Sequence, residues 1–292
     1  MSTLSNVKIY CIYPHFYLQT HLQLFINVFK LHPYICNVKY LFLILPLFIW
    51  SCKEQVTQDE PTNTVQEPAT KGKQSLTTYA DRMVRAKLGI QANEKFELKI
   101  YRAQLDADGI EDAIITVNRL DFAMKEAMAS PNAAKRAELG FMGNFNYFFF
   151  FDGKLDMLSP PLAIPSSPLL PLSVSFANIS SPNYKDILID FRIRNASYKD
   201  FYTVSNHTPR RIFQFKNFDG LGTKLTEAYH FEYGAGSYGI QKNIFVMEGK
   251  LEALPSGADQ NTFVPQIKPI EKIKYTFFYL ESEAKYATKD SQ

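Results

Sequence analysis

Gln104, Asp106 and Asp108 stand at alternate positions and are followed by Gly109, Ile110 and Asp112. Three carboxylates, the Gln104 amide oxygen and the Ile110 carbonyl are the donor types that a hard cation takes. Calcium binds six to eight oxygens at ~2.3–2.6 Å, and a loop that turns sharply at glycine can wrap such oxygens around one ion. The same residues also suit a solvated turn whose aspartates accept neighbouring backbone N–H groups. An EF-hand is excluded, because counting from Arg102, Gln104 or Asp106 puts no glutamate at the twelfth position.

His230 and Glu232 form a second candidate pair. They alternate within EAYHFEY and so share one face of a strand, while Glu227 falls on the other. A half-buried histidine with no chemical role fits this pattern too. His207, in His-Thr-Pro, sits in a turn-like stretch. No G-x-S-x-G, H-E-x-x-H or P-loop is present. Gly234, Gly236 and Gly239 punctuate a loop that no helix follows, which argues against a phosphate cradle.

Residues 104–112 resemble the D-x-D-x-D-G-x-x-D calcium loops of integrin-α-like (FG-GAP) repeats and of dockerins. The resemblance spans only that loop and implies calcium held by Gln104, Asp106, Asp108, Ile110 and Asp112. Gln104 stands where those families have an acid. One charge fewer implies weaker binding, down to the ~millimolar range of extracellular modules.

The elements that must position these groups read as mostly β. Ser75 can cap a helix running to Leu88, with Leu76, Tyr79, Ala80 and Met83 as its apolar stripe and Gly89 as its stop. Phe96, Leu98 and Ile100 alternate with polar residues and predict a strand; Ala113–Val117 predicts another beyond the acidic loop. Asp121–Leu139 is helix-like around Pro131. Asp152-Gly153 between apolar runs predicts a hairpin. Proline-rich Ser159–Pro171 reads as an ordered crossing between two halves. Strands are expected at 187–193, 201–204, 212–215, 227–233, 243–247 and 274–280, with a polar, frayed tail after Glu281.

The halves echo each other. FFFDGKLDML and FVMEGKLEAL lie 96 residues apart (Gly153 to Gly249), and Gly140-x-x-Gly143 and Gly236-x-x-Gly239 keep that offset. Asp112-Ala-Ile-Ile also resembles Asp186-Ile-Leu-Ile, 74 residues on. The expectation is two copies of one β unit, about 76–158 and 170–282, of which only the first carries the acidic loop. Ser180–Lys185 is its acid-free counterpart.

Ahead of the folded part, Lys39 precedes an apolar run, Tyr40–Trp50, then Ser51 and Cys52. That is the layout of a secretory signal. Ile49-Trp50-Ser51-Cys52 resembles the lipobox of bacterial lipoproteins, which implies lipidation of Cys52 as the new N-terminus. Trp50 departs from the small or aliphatic residue usual there. The run is shorter than the ~20 residues of a membrane span. Residues 52–75, polar and free of aromatics, read as a disordered tether. Residues 1–37 read as a non-native extension before a signal peptide at 38–51.

Residues 1–51 contain Lys8, Lys30 and Lys39 and no acid, so removing them from 32 basic and 29 acidic residues leaves 29 of each. A neutral mature chain gives no basic excess for nucleic acid. Cys11, Cys36 and Cys52 are the only cysteines, which leaves the folded part without disulfide or thiolate chemistry.

The expectation is therefore a mainly β (α+β) domain: antiparallel, with two helices near its N-terminal side. It would be a lipid-anchored envelope protein, on either side of an outer membrane, acting as a binding or scaffold module for a protein or glycan. Calcium is its one expected cofactor. The alternative is a glycan or ester hydrolase using carboxylates of the second half.

Overall fold

Strands rich in aromatic and β-branched residues pair into two antiparallel sheets. The computed structural model describes residues 75–289, all of them in one compact unit. Cys52, the extension at 1–37, the signal at 38–51 and nearly all of the tether lie outside the described residues.

The first sheet is built from β1 (Glu97–Ala103), β2 (Asp112–Asn118), β3 (Gly143–Asp152), β4 (Met157–Leu158) and β5 (Leu162–Ser166). Its order is β1-β2-β3-β4, with β5 also paired to β3. Both faces are buried, which is why β2 and β3 read as apolar runs and not as alternation. Ile115, Val117, Phe149 and Phe151 face α1 (Leu76–Leu88) and pack on Ala80 and Val84. Ile114, Phe148 and Phe150 face the second sheet and meet Ile187, Ile189 and Tyr202.

Helix α1 starts where its cap predicts. Ser75 accepts from the Thr78 N–H at 3.3 Å. Gly89 ends it at φ 62°, in the left-handed region that glycine enters without a Cβ penalty. The helical stretch expected over 121–139 is two helices, α2 (Leu120–Met128) and α3 (Ala133–Glu138). Pro131, between them, lacks the N–H that a continuous ladder needs. Arg119, just before α2, is held by Glu94 through bonds of 2.7 and 2.9 Å.

The second sheet is a meander in chain order: β6 (Ser173–Ala177), β7 (Asp186–Ile193), β8 (Ala196–Ser205), β9 (Thr208–Asp219), β10 (Glu227–Gly234), β11 (Asn243–Leu251), β12 (Ile267–Leu280) and β13 (Lys285–Ala287). One face near its start completes the core shared with the first sheet. The other carries an aromatic cluster around Phe201, Phe213 and Phe277, with Phe213 and Phe277 ring centres 4.6 Å apart. The tail expected to fray after Glu281 instead forms β13, because Tyr286 has an apolar site to fill. It meets Tyr279 edge-on at 5.3 Å and reaches Phe213 on β9 at 6.0 Å, so the sheet curls back on itself.

The two echoes fare differently. Asp152-Gly153 opens a turn between β3 and β4, whereas Glu248-Gly249 lies inside the unbroken strand β11. The 96-residue offset therefore relates segments of different structure. Each glycine is there for a local reason: a Cβ on Gly153 would lie 2.1 Å from the Glu111 carbonyl oxygen, and one on Gly249 would lie 2.6 Å from Ile267 Cγ2, beside an irregularity in the ladder. The 74-residue offset does relate equivalent hairpins. Ala103 pairs with Asp112 as Ala177 pairs with Asp186.

Candidate functional site

Each of the two related hairpins ends in a buried aspartate that holds its own loop. Asp112 accepts from Leu105 N at 3.1 Å and from Gly153 N at 3.0 Å. Asp186 accepts from Ile179 N at 3.1 Å, and from Ser180 N and Oγ at 2.6 Å each. Leu105 precedes Asp112 by the same seven residues as Ile179 precedes Asp186. The loops also touch, since the Gln104 carbonyl accepts from Lys185 N at 3.0 Å.

Asp112 is thus a clamp, and both of its oxygens are occupied by backbone donors. It is 1 % exposed. Burial pushes its carboxyl up to about 6, with the charges of Asp106 and Asp108 adding to the rise against the pull of the two N–H groups.

Asp106, Asp108 and Asp112 do not bring one ligand atom each within 4.8 Å of one another. Asp106 Oδ1 accepts from Asp108 N at 2.9 Å, and Asp108 Oδ1 from Ile110 N at 2.7 Å. Ile110 is 46 % exposed, and the Gln104 backbone carbonyl, as distinct from its side-chain amide, accepts from Lys185 N. Asp106 turns instead toward two groups that spacing along the chain does not reveal. One is Asp152, at the end of β3, and the other is His207, in the turn between β8 and β9. One ligand atom from each of Asp106, Asp152 and His207 lies within 4.8 Å of the others.

Local structure explains each position. Asn206 and His207 are the two central residues of a hairpin closed by the Ser205–Thr208 pair, with φ of 50° and 59°. A two-residue turn that matches the strand twist needs positive φ at both places, and asparagine and histidine are among the side chains that enter that region. The turn aims the imidazole at the first sheet, where His207 Nδ1 meets Asp152 Oδ2 at 2.5 Å. Asp152 is 3 % exposed and fixed by Leu155 N, which donates to its Oδ1 at 2.8 Å. Partial burial raises the Asp106 carboxyl, helped by Asp108 and Asp152. Asp108 Oδ2 is buried without a hydrogen-bond partner. Asp106, Asp108 and His207 line an open cleft of about 380 Å³, with Tyr184, Val204 and Asn206.

His230 and Glu232 do share a face of β10, with Nε2 and Oε1 3.6 Å apart. They form no group with a third titratable ligand among the described residues. Two acids of the second half, Asp190 and Asp200, are held by neighbours. Asp190 is bound by Lys199 and Asn217, each at 2.7 Å. Asp200 is bound by Tyr202 at 3.0 Å and Gln214 at 2.6 Å. Asp190 pairs with Lys199, so Asp200, the next residue of β8, points to the opposite face. The two do not flank one bond, as a pair of hydrolytic carboxylates must.

No family model, curated protein or solved structure matches this chain. No helix among the described residues is long and apolar enough to cross a membrane.

Proposed function

We propose that this is a lipid-anchored protein of a bacterial envelope whose folded part is a binding or scaffold module with a divalent-cation site at its acidic loop. The single observation behind the cation site is the convergence of Asp106, Asp152 and His207 from three segments of the chain at the rim of an open cleft. Burial, helped by the charges of Asp108 and Asp152, raises the Asp106 carboxyl, and a cation sharing that oxygen relieves it. The anchor rests on the lipobox-like Cys52. Calcium is the ion suggested by the loop sequence, and a protein or glycan is the partner class that the cleft and the neighbouring Tyr184 would meet.

Thermal unfolding with and without excess divalent ion tests the cation site. Ion at ~100 times its dissociation constant adds ~2.7 kcal/mol, or ~5–11 °C for a domain of this size. The gain should vanish in Asp106→Ala. An unchanged midpoint at millimolar ion removes the proposal. The anchor is checked separately with a labelled fatty acid, which should be incorporated by the wild type and not by Cys52→Ser.

A further inference from the structure

The donors left free at the acidic loop are not those of a calcium cage. Calcium needs six to eight oxygens. Both Asp112 oxygens are committed to Leu105 and Gly153. Asp106 and Asp108 each accept a backbone N–H on one oxygen. What converges instead is one carboxylate oxygen from Asp106, one from Asp152 and an imidazole nitrogen of His207. A nitrogen donor beside few oxygens selects first-row transition ions over calcium or magnesium. Three protein donors with a further position open to solvent is the arrangement that zinc takes where it binds an exchangeable ligand.

The second sheet supplies the nitrogen donor that the loop sequence lacks. His207 stands 101 positions beyond Asp106, at the tip of the β8–β9 hairpin, and the two-residue turn holds it against Asp152. Asp108, whose Oδ2 is buried without a hydrogen-bond partner, lines the same cleft beside Asp106 and His207.

We propose that Asp106, Asp152 and His207 form a zinc-class site with its remaining position open toward Tyr184 and Asn206. This rests on the reading that a divalent ion binds at the acidic loop, and it names the ion. Zinc takes the place of the hydrogen bond between His207 Nδ1 and Asp152 Oδ2, and the proton held there leaves to solvent. The ion then joins the β8–β9 turn of the second sheet to the β1–β2 loop and the end of β3 in the first.

The test is a zinc titration of the full chain against a chromophoric chelator, in a background of Cys11→Ser, Cys36→Ser and Cys52→Ser so that no thiol competes. The expected result is one tight equivalent that weakens more than about a hundredfold in His207→Ala and in Asp106→Asn, beyond the loss usual for an outer-shell change. His230→Ala leaves that equivalent intact. Zinc should also slow amide exchange at 105–110, 152–155 and 205–208 together, which localises the ion even if a variant folds poorly. Calcium binding without zinc binding, or zinc binding that ignores His207, overturns this inference and leaves the broader cation reading standing. Binding of neither ion overturns both.

Discussion

Asp112→Ala should destabilise the protein more at pH 5 than at pH 7.5, the reverse of what a salt-bridged carboxylate would give. In the fold its carboxyl is raised from an ordinary 3.8 to about 6. An acid raised on folding contributes fully below 3.8, and that contribution is lost as pH climbs through 6. At pH 5 the group is about one unit below its folded value, so the wild type holds about 1.4 kcal/mol that is absent at pH 7.5. The alanine variant lacks this term at both pH values. It also leaves Leu105 N and Gly153 N without acceptors, at ~1–3 kcal/mol for each buried donor. At pH 7.5 that cost is partly offset, because a charge buried at a loss of ~3 kcal/mol has gone. Urea unfolding of both proteins at both pH values, with chelator present so that no ion intervenes, measures the difference. Equal destabilisation at the two pH values, or a larger effect at pH 7.5, would refute the burial argument for Asp112.

Two further substitutions test a buried ion pair at the far end of β2 and the packing beside the acidic loop. Glu94→Ala should cost ~3–5 kcal/mol in urea unfolding, since it strands a buried guanidinium; Arg119 and Glu94 side chains are each 10 % exposed. Gly153→Ala should lower the melting temperature by several degrees and disturb the acidic loop, because its methyl would meet the Glu111 carbonyl oxygen. Overpacking of that kind costs ~1–3 kcal/mol, and backbone amide shifts at 110–112 report the displacement.

Much of the fold could be read from local pattern. Ser75 and Gly89 mark the ends of α1 because capping is a matter of neighbouring residues. Alternation found β7, and the 74-residue echo found two hairpins that the structure shows to share a register. The tail misled because KYATKD is polar, and only the curl of the second sheet puts Tyr286 against Phe213. The 96-residue echo misled because Asp-Gly and Glu-Gly look alike in sequence while one sits at a turn and the other at an irregular ladder position.

The site was half legible. Asp106 and Asp108 stand out by spacing, and so does Asp112, which in the fold accepts from Leu105 N and Gly153 N as a buried clamp. Asp152 and His207 were missed as members because no spacing links residues 106, 152 and 207. The one available signal was Asn206-His207 between two strand candidates, which marks an exposed hairpin tip able to present an imidazole.

Paramagnetic broadening of the backbone amides by Mn²⁺, used as a probe ion, shows where on this chain a cation sits. Broadening centred on residues 105–108, 152–155 and 206–208 together, and lost in Asp152→Asn, is the outcome expected from the geometry. Signals that broaden around His230 and Glu232 instead, or that broaden at the acidic loop without involving His207, would contradict it.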